Sequence, residues 1–160
     1  MTIKVGDRAP AATLKQMTKE GPANITTEQL FKGRRVVLFS VPGAFTPTCH
    51  AKHLPGYIRD FEKLKAKGVD TVACLAVNDV FVMDAWGKAS NVGDNILMLA
   101  DGNAEFTKAL GLELDATGFG LGTRGKRFAM VVKDGVVTHL NVESAGEFRV
   151  SAADYVLGQL

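Results

Sequence analysis

Val36-Val37-Leu38-Phe39-Ser40-Val41-Pro42-Gly43-Ala44-Phe45-Thr46-Pro47-Thr48-Cys49-His50 is the stretch that decides the fold. Its first four residues are apolar and begin with two β-branched valines, the pattern of a buried strand. Pro42-Gly43 breaks that strand. Thr46-Pro47 then opens a helix, with Thr46 as N-cap and Pro47 in the first helical position, where the missing N–H is no loss. Cys49 falls in the first turn of that helix, among unpaired backbone N–H groups and at the positive end of the macrodipole.

The position matters because the thiolate is the nucleophilic form of cysteine, and a free thiol titrates near ~8.5. A helix N-terminus favours a nearby anion by roughly 0.3–1 kcal/mol, up to ~2 when partly buried. About 1.4 kcal/mol is a tenfold change in ionisation, so the dipole alone gives a moderately activated thiol. Stronger activation needs a cation, and this segment supplies none. Two plainer readings compete. Cys49 is a buried structural cysteine, or it joins His53 at i,i+4 in a metal site. His50 points elsewhere, and a closed zinc site takes four ligands. Neither a metal nor an organic cofactor is therefore expected.

With 160 residues, a single domain spanning 1–160 is expected, large enough for a core without disulfides. A net charge of +2 is too small to point to nucleic acid or a membrane surface. No run of 18 apolar residues occurs, and the N-terminus lacks the apolar core of a signal peptide. Two cysteines fit a reducing compartment, so a cytoplasmic protein is expected.

Outward from the cysteine, Ile3-Lys4-Val5 alternates like an edge strand or half of a hairpin, and Thr26 or Thr27 caps a short helix over residues 28–31. Tyr57, Phe61 and Leu64 recur at helical spacing, so the Cys49 helix resumes after a kink at Pro55-Gly56. Val69–Val77 is a buried strand containing Cys74. Helices follow at 79–89, with Trp86, and at 104–110, with a strand at 96–99 between them. Asp134-Gly135 joins strands 128–133 and 136–140 as a hairpin. Ser151, with Asp154 three residues on, caps a last helix over 152–160. Helices alternating with buried strands and ending in a hairpin give a three-layer α/β/α sandwich with a central mixed sheet. With the cysteine on the first long helix, this is a thioredoxin-like arrangement. Thr46 stands where thioredoxins carry the first thiol of Cys-x-x-Cys, so no local disulfide forms. Gly120-x-Gly122-x-x-Gly125 matches dinucleotide-binding spacing but precedes a strand instead of opening a helix, which excludes that reading.

Pro42-Gly43-Ala44-Phe45-Thr46-Pro47-Thr48-Cys49 with His53-Leu54-Pro55-Gly56 resembles the active-site segment of the type II (atypical, type-five-like) peroxiredoxins. The likeness continues through Val77-Asn78-Asp79, Ala85-Trp86-Gly87, Leu99-Ala100-Asp101-Gly102, Gly122 to Met130 and Asn141-Val142-Glu143, in order along nearly the whole chain. It implies a thiol peroxidase acting on hydrogen peroxide and alkyl hydroperoxides. Cys49 would attack and cycle through a sulfenic acid, Pro42 would shield the site, and Thr46 and the Cys49 N–H would bind the peroxide. Arg127 would activate the sulfur. On pattern alone Arg124, Lys126 and Arg127 form one basic loop, although alternation through Arg127-Phe128 allows Arg127 to face inward.

The family's resolving cysteine near residues 148–151 is missing. Cys74 is either that thiol or a core residue. Members with this cysteine pattern imply glutathione with glutaredoxin as electron donor, then thioredoxin. His50, His53 and His139 receive no catalytic role, though His50 is near enough in sequence to tune Cys49. The resemblance further implies a homodimer, with Phe45, Phe81 and Trp86 as contacts or, alternatively, core. Two other functions remain open: a redox-sensing or chaperone-like protein using Cys49 as a switch, and a protein thiol–disulfide oxidoreductase.

Overall fold

The computed structural model describes residues 2–160. Its frame is a seven-stranded sheet in the order β2 (Gly21–Thr26), β1 (Thr13–Thr18), β5 (Ile96–Ala100), β4 (Thr71–Ala76), β3 (Arg35–Ser40), β8 (Phe128–Lys133) and β9 (Val136–Val142). The central strands β3, β4 and β5 run parallel. β8 pairs antiparallel with β3, and β9 with β8. On the far side β1 and β2 form an antiparallel hairpin that joins β5 at one ladder position, Lys15 opposite Ala100. A separate ribbon pairs β6 (Glu113–Asp115) with β7 (Thr123–Gly125).

Strand alternation divides the core in two. Val37, Phe39 and Val41 face α2 (Leu54–Ala66), α3 (Val80–Ala89) and α5 (Ala153–Gln159), packing on Tyr57, Leu64, Met83, Trp86 and Val156. Val36 and Leu38 face the opposite layer, where α1 (Thr27–Phe31) and α4 (Glu105–Leu110) supply Leu30, Phe31, Phe106 and Leu110. The central strands are covered on both faces, which is why they read as continuous apolar runs. This is the thioredoxin-like sandwich with a mixed sheet.

Three local expectations are corrected. Ile3–Val5 is not a strand; this stretch is tied down by the Ile3 N–H on the Leu110 carbonyl, and the hairpin lies at residues 13–26. The irregularity at Pro55-Gly56 falls one turn earlier, as a π-helical turn over Cys49–His53 in which the Leu54 N–H reaches the Cys49 carbonyl. Pro55 has no N–H to bond the Ala51 carbonyl, so the turn widens ahead of it. Ser151 does not cap α5, whose N-cap is Ala152 without a side-chain bond. At the other helix start Thr26 does cap α1, in a complete capping box with Gln29. Asp134 and Gly135 both take positive φ, 48° and 83°, as a two-residue hairpin turn requires.

Candidate active site

β3 ends against the break at Pro42-Gly43, and the chain re-enters a helix at Pro47, placing Cys49 fully buried over the C-terminal end of the sheet. Phe45 holds a left-handed backbone, φ 63°, which is a steric outlier for an aromatic residue. Its ring lies 5.7 Å from that of His50 and 6.3 Å from that of Trp86. Trp86, fully buried on α3, donates its indole N–H to His50 Nδ1 at 3.0 Å. The first turn after the break is thereby fastened to a neighbouring helix.

Thr46 takes the expected N-cap position ahead of Pro47, but its hydroxyl is used differently from a capping side chain. Its hydroxyl donates to the Gly43 carbonyl at 2.7 Å, while its own carbonyl accepts from the His50 N–H at 2.8 Å. With its only proton given to Gly43, Thr46 Oγ1 has acceptor lone pairs left.

Among the three basic residues the geometry is unambiguous. Arg127 Nη2 donates to Cys49 Sγ at 3.1 Å. Arg124 instead donates from Nε to the Leu121 carbonyl at 2.9 Å, with Nη1 3.5 Å from the Pro42 carbonyl. Lys126 is exposed, and its carbonyl accepts from Ser40 Oγ. Among the described residues the ion pairs do not include Arg127, so its charge is not neutralised by a carboxylate.

The other end of the Arg127 fork is held by His53, for which no catalytic role was expected. Nη1 donates to His53 Nδ1 at 2.8 Å, and His53 Nε2 lies 3.1 Å from the Ser151 carbonyl. A carbonyl only accepts and a guanidinium only donates, so the partners assign the neutral tautomer with its proton on Nε2. Burial and then the Arg127 charge push the His53 pKa down to about 3, against weaker opposition from Ser151 and Glu143. Both ring nitrogens are engaged, which removes His53 from any metal reading. The Tyr57 hydroxyl shares the Ser151 carbonyl at 2.7 Å. Burial holds that phenol well above its ordinary pKa, and it stays a donor. Tyr57 also stacks on Phe39 at 4.0 Å. Phe148 covers the assembly, its ring 5.0 Å from that of His53 and 5.9 Å from the Arg127 guanidinium carbon.

Cys74 lies in mid-strand, opposite Phe39 and Met98, with no exposure. Burial, and then the neighbouring Cys49, push its thiol well above the ordinary range, with Arg127 opposing. Both cysteines are free. Of the proposed dimer contacts, Phe45 and Phe81 are 48% and 65% exposed, whereas Trp86 is core. Gly120-x-Gly122-x-x-Gly125 ends within β7 and is followed by β8, not by a helix.

A family model described as Redoxin matches residues 4–157. Peroxiredoxin-2B of Arabidopsis thaliana is 48% identical over 159 residues, covering 99% of this chain and 98% of that protein. The chain belongs to the peroxiredoxins. Peroxiredoxin-2E-2, chloroplastic, of Oryza sativa subsp. japonica is 49% identical and is matched over 99% of this peroxiredoxin and 73% of that relative. Among solved structures, reduced Prx3 of Vibrio vulnificus in complex with H2O2 aligns with a TM-score of 0.95 at 56% identity, covering 99% of both chains. The peroxiredoxin is accordingly an oxidoreductase of the peroxidase class.

Proposed function

We propose that this peroxiredoxin reduces hydrogen peroxide and alkyl hydroperoxides with Cys49 as the attacking sulfur, and that glutathione, helped by glutaredoxin, returns it to the thiolate, with thioredoxin the second choice. The observation that carries the first half is the uncompensated Arg127 guanidinium 3.1 Å from a sulfur at a helix start. It stabilises the thiolate and, once peroxide is bound, the charge that develops on the leaving oxygen. The peroxide complex of the Vibrio vulnificus relative supports this reading.

Cys49 Sγ attacks one peroxide oxygen, and the O–O bond breaks. The second oxygen takes the electron pair and a proton and leaves as water or alcohol. Sulfur becomes a sulfenic acid. Thr46 Oγ1, its proton already donated to Gly43, accepts from the peroxide O–H and sets its direction. Pro42, itself half-buried, shields the sulfur.

A glutathione thiolate then attacks the sulfenic sulfur. The S–O bond breaks, and hydroxide leaves as water on gaining a proton. A second glutathione attacks the mixed disulfide, releasing oxidised glutathione and the Cys49 thiolate. An external thiol is favoured because Cys74 is locked in a doubly covered strand and its thiolate is disfavoured. Two free thiols support a reducing, cytoplasmic setting. Phe45 and Phe81, both exposed aromatic side chains, support a homodimer.

The test is peroxide consumption with a panel of thiol donors. Wild type turns over with glutathione and glutaredoxin, and Cys49→Ser does not while keeping its fold. Retained turnover in Cys49→Ser overturns the assignment of the attacking sulfur.

A further inference from the structure

We propose that Glu143 is a positioning residue for Arg127, acting from the end of β9 through the segment Arg149–Ser151. Three donors converge on one carboxylate oxygen. Glu143 Oε2 accepts from the Arg149 N–H at 2.6 Å, the Ser151 N–H at 2.8 Å and the Ser151 hydroxyl at 2.6 Å. Burial pushes this carboxyl up, but the hydrogen bonds from Ser151, Arg149 and Val150 win and hold it below the usual carboxylate range. The carboxylate therefore stays ionised, and its bonds are of the strong, charge-assisted kind.

What Glu143 fixes is the Ser151 carbonyl, because the N–H and hydroxyl of that residue are both tied to it. The same carbonyl accepts from His53 Nε2 at 3.1 Å, and His53 Nδ1 in turn accepts from Arg127 Nη1 at 2.8 Å. The other fork nitrogen, Nη2, meets the sulfur. Glu143 also acts on Arg127 directly, since its backbone N–H donates to the Arg127 carbonyl at 3.0 Å. One residue thus holds the backbone of Arg127 with its main chain and aims the guanidinium with its side chain, through Ser151 and His53. Each of those contacts is short and buried or half-buried, so slack at Glu143 is passed on to the guanidinium. Ser151 was expected to cap α5, and this explains why its hydroxyl does not: it is committed to Glu143.

The inference rests on Arg127 being the activating cation. The experiment is therefore run beside Arg127→Gln. The readouts are the rate of Cys49 alkylation by iodoacetamide against pH and the rate of Cys49 oxidation by peroxide in stopped flow. Glu143→Ala is expected to slow alkylation below neutral pH by at least about fivefold, part of the loss expected when the guanidinium is removed. Glu143→Gln keeps an acceptor but not the charge, and should slow it about two- to threefold. Val137→Ala, in the core on the opposite face of the sheet, should lower stability and leave the alkylation profile unchanged.

A folded Glu143→Ala protein with a wild-type profile beside a slow Arg127→Gln overturns the positioning role alone. A wild-type profile in Arg127→Gln overturns the reading of both residues. Slowing by Val137→Ala equal to that by Glu143→Ala overturns the proposal by making the effect one of stability. Where Glu143→Ala does not fold, Glu143→Gln decides, and a wild-type profile in it overturns the proposal.

Discussion

Replacing Arg127 with Gln removes the one cation among the described residues that touches the Cys49 sulfur. At 3.1 Å, two unit charges attract by about 5 kcal/mol at an effective dielectric of about 20, before any desolvation is charged against the pair. The net worth of a hydrogen bond to a charged group is smaller, about 1.5–3 kcal/mol. At about 1.4 kcal/mol per factor of ten, thiolate reactivity below neutral pH should fall roughly ten- to 150-fold. The same change strips His53 Nδ1 of its donor, and a buried acceptor without a partner costs about 1–3 kcal/mol of stability. Stopped-flow oxidation by hydrogen peroxide and iodoacetamide alkylation against pH measure the first effect, and urea midpoints the second. Arg124→Gln is the comparison, because that side chain bonds the Leu121 carbonyl and does not reach the sulfur. The reasoning is refuted by a folded Arg127→Gln protein within about threefold of wild type, which is under ~0.7 kcal/mol by the same conversion. A larger loss in Arg124→Gln refutes it as well.

Cys74→Ser should keep near-normal turnover with glutathione and glutaredoxin, with a glutathione adduct on Cys49 by mass spectrometry; lost activity together with a Cys49–Cys74 disulfide in wild type would make Cys74 the resolving thiol. Stability should fall with acid in a window set by His53, which titrates near 6.5 when unfolded and at about 3 when folded. The unfolded chain binds the extra proton between those values, so the contribution is intact above pH 6.5 and declines toward pH 3 by at most about 1.4 kcal/mol per pH unit. Asp60 and Glu143 are held below the usual carboxylate range and stay ionised through the upper part of that window. Urea midpoints that do not move between pH 7 and 5 contradict this. Sedimentation at micromolar concentration should give a dimer, and a joint Phe45→Ser, Phe81→Ser variant should shift it to monomer; a wild-type monomer removes the interface.

What could be read from the sequence was what neighbouring residues encode. The strand before Pro42, the helix start at Thr46-Pro47, the Asp134-Gly135 turn and the Thr26 cap each depend on a few adjacent side chains, and each forms. Arg127 was one of three candidates in a basic loop until the register of β8 turned it toward the α2 side of the sheet. His53 and Ser151 meet across 98 residues of sequence, and the acceptor is a main-chain carbonyl, which carries no side-chain signature. Phe148 and Glu143 belong to the same distant segment. Ser151 misled for a related reason: Ser-x-x-Asp is a good capping pattern, but a charged acceptor outcompetes a helix terminus for one hydroxyl. Pro55 signalled an irregularity correctly, and the missing bond widened the turn before it.

The single ladder position that joins the β1–β2 hairpin to β5 has a consequence for how the molecule breathes. The strands β3, β4 and β8 are laddered along their lengths and buried on both sides, so their amides exchange with solvent only through near-global opening. The hairpin is paired fully within itself and, among the described residues, only at Lys15 with the rest of the sheet, so Leu14 and Ile25 in the core are its main anchors and it is expected to open before the central strands. Its amides should exchange with deuterium together, and well before those of the central strands, in a protein whose catalytic end stays closed.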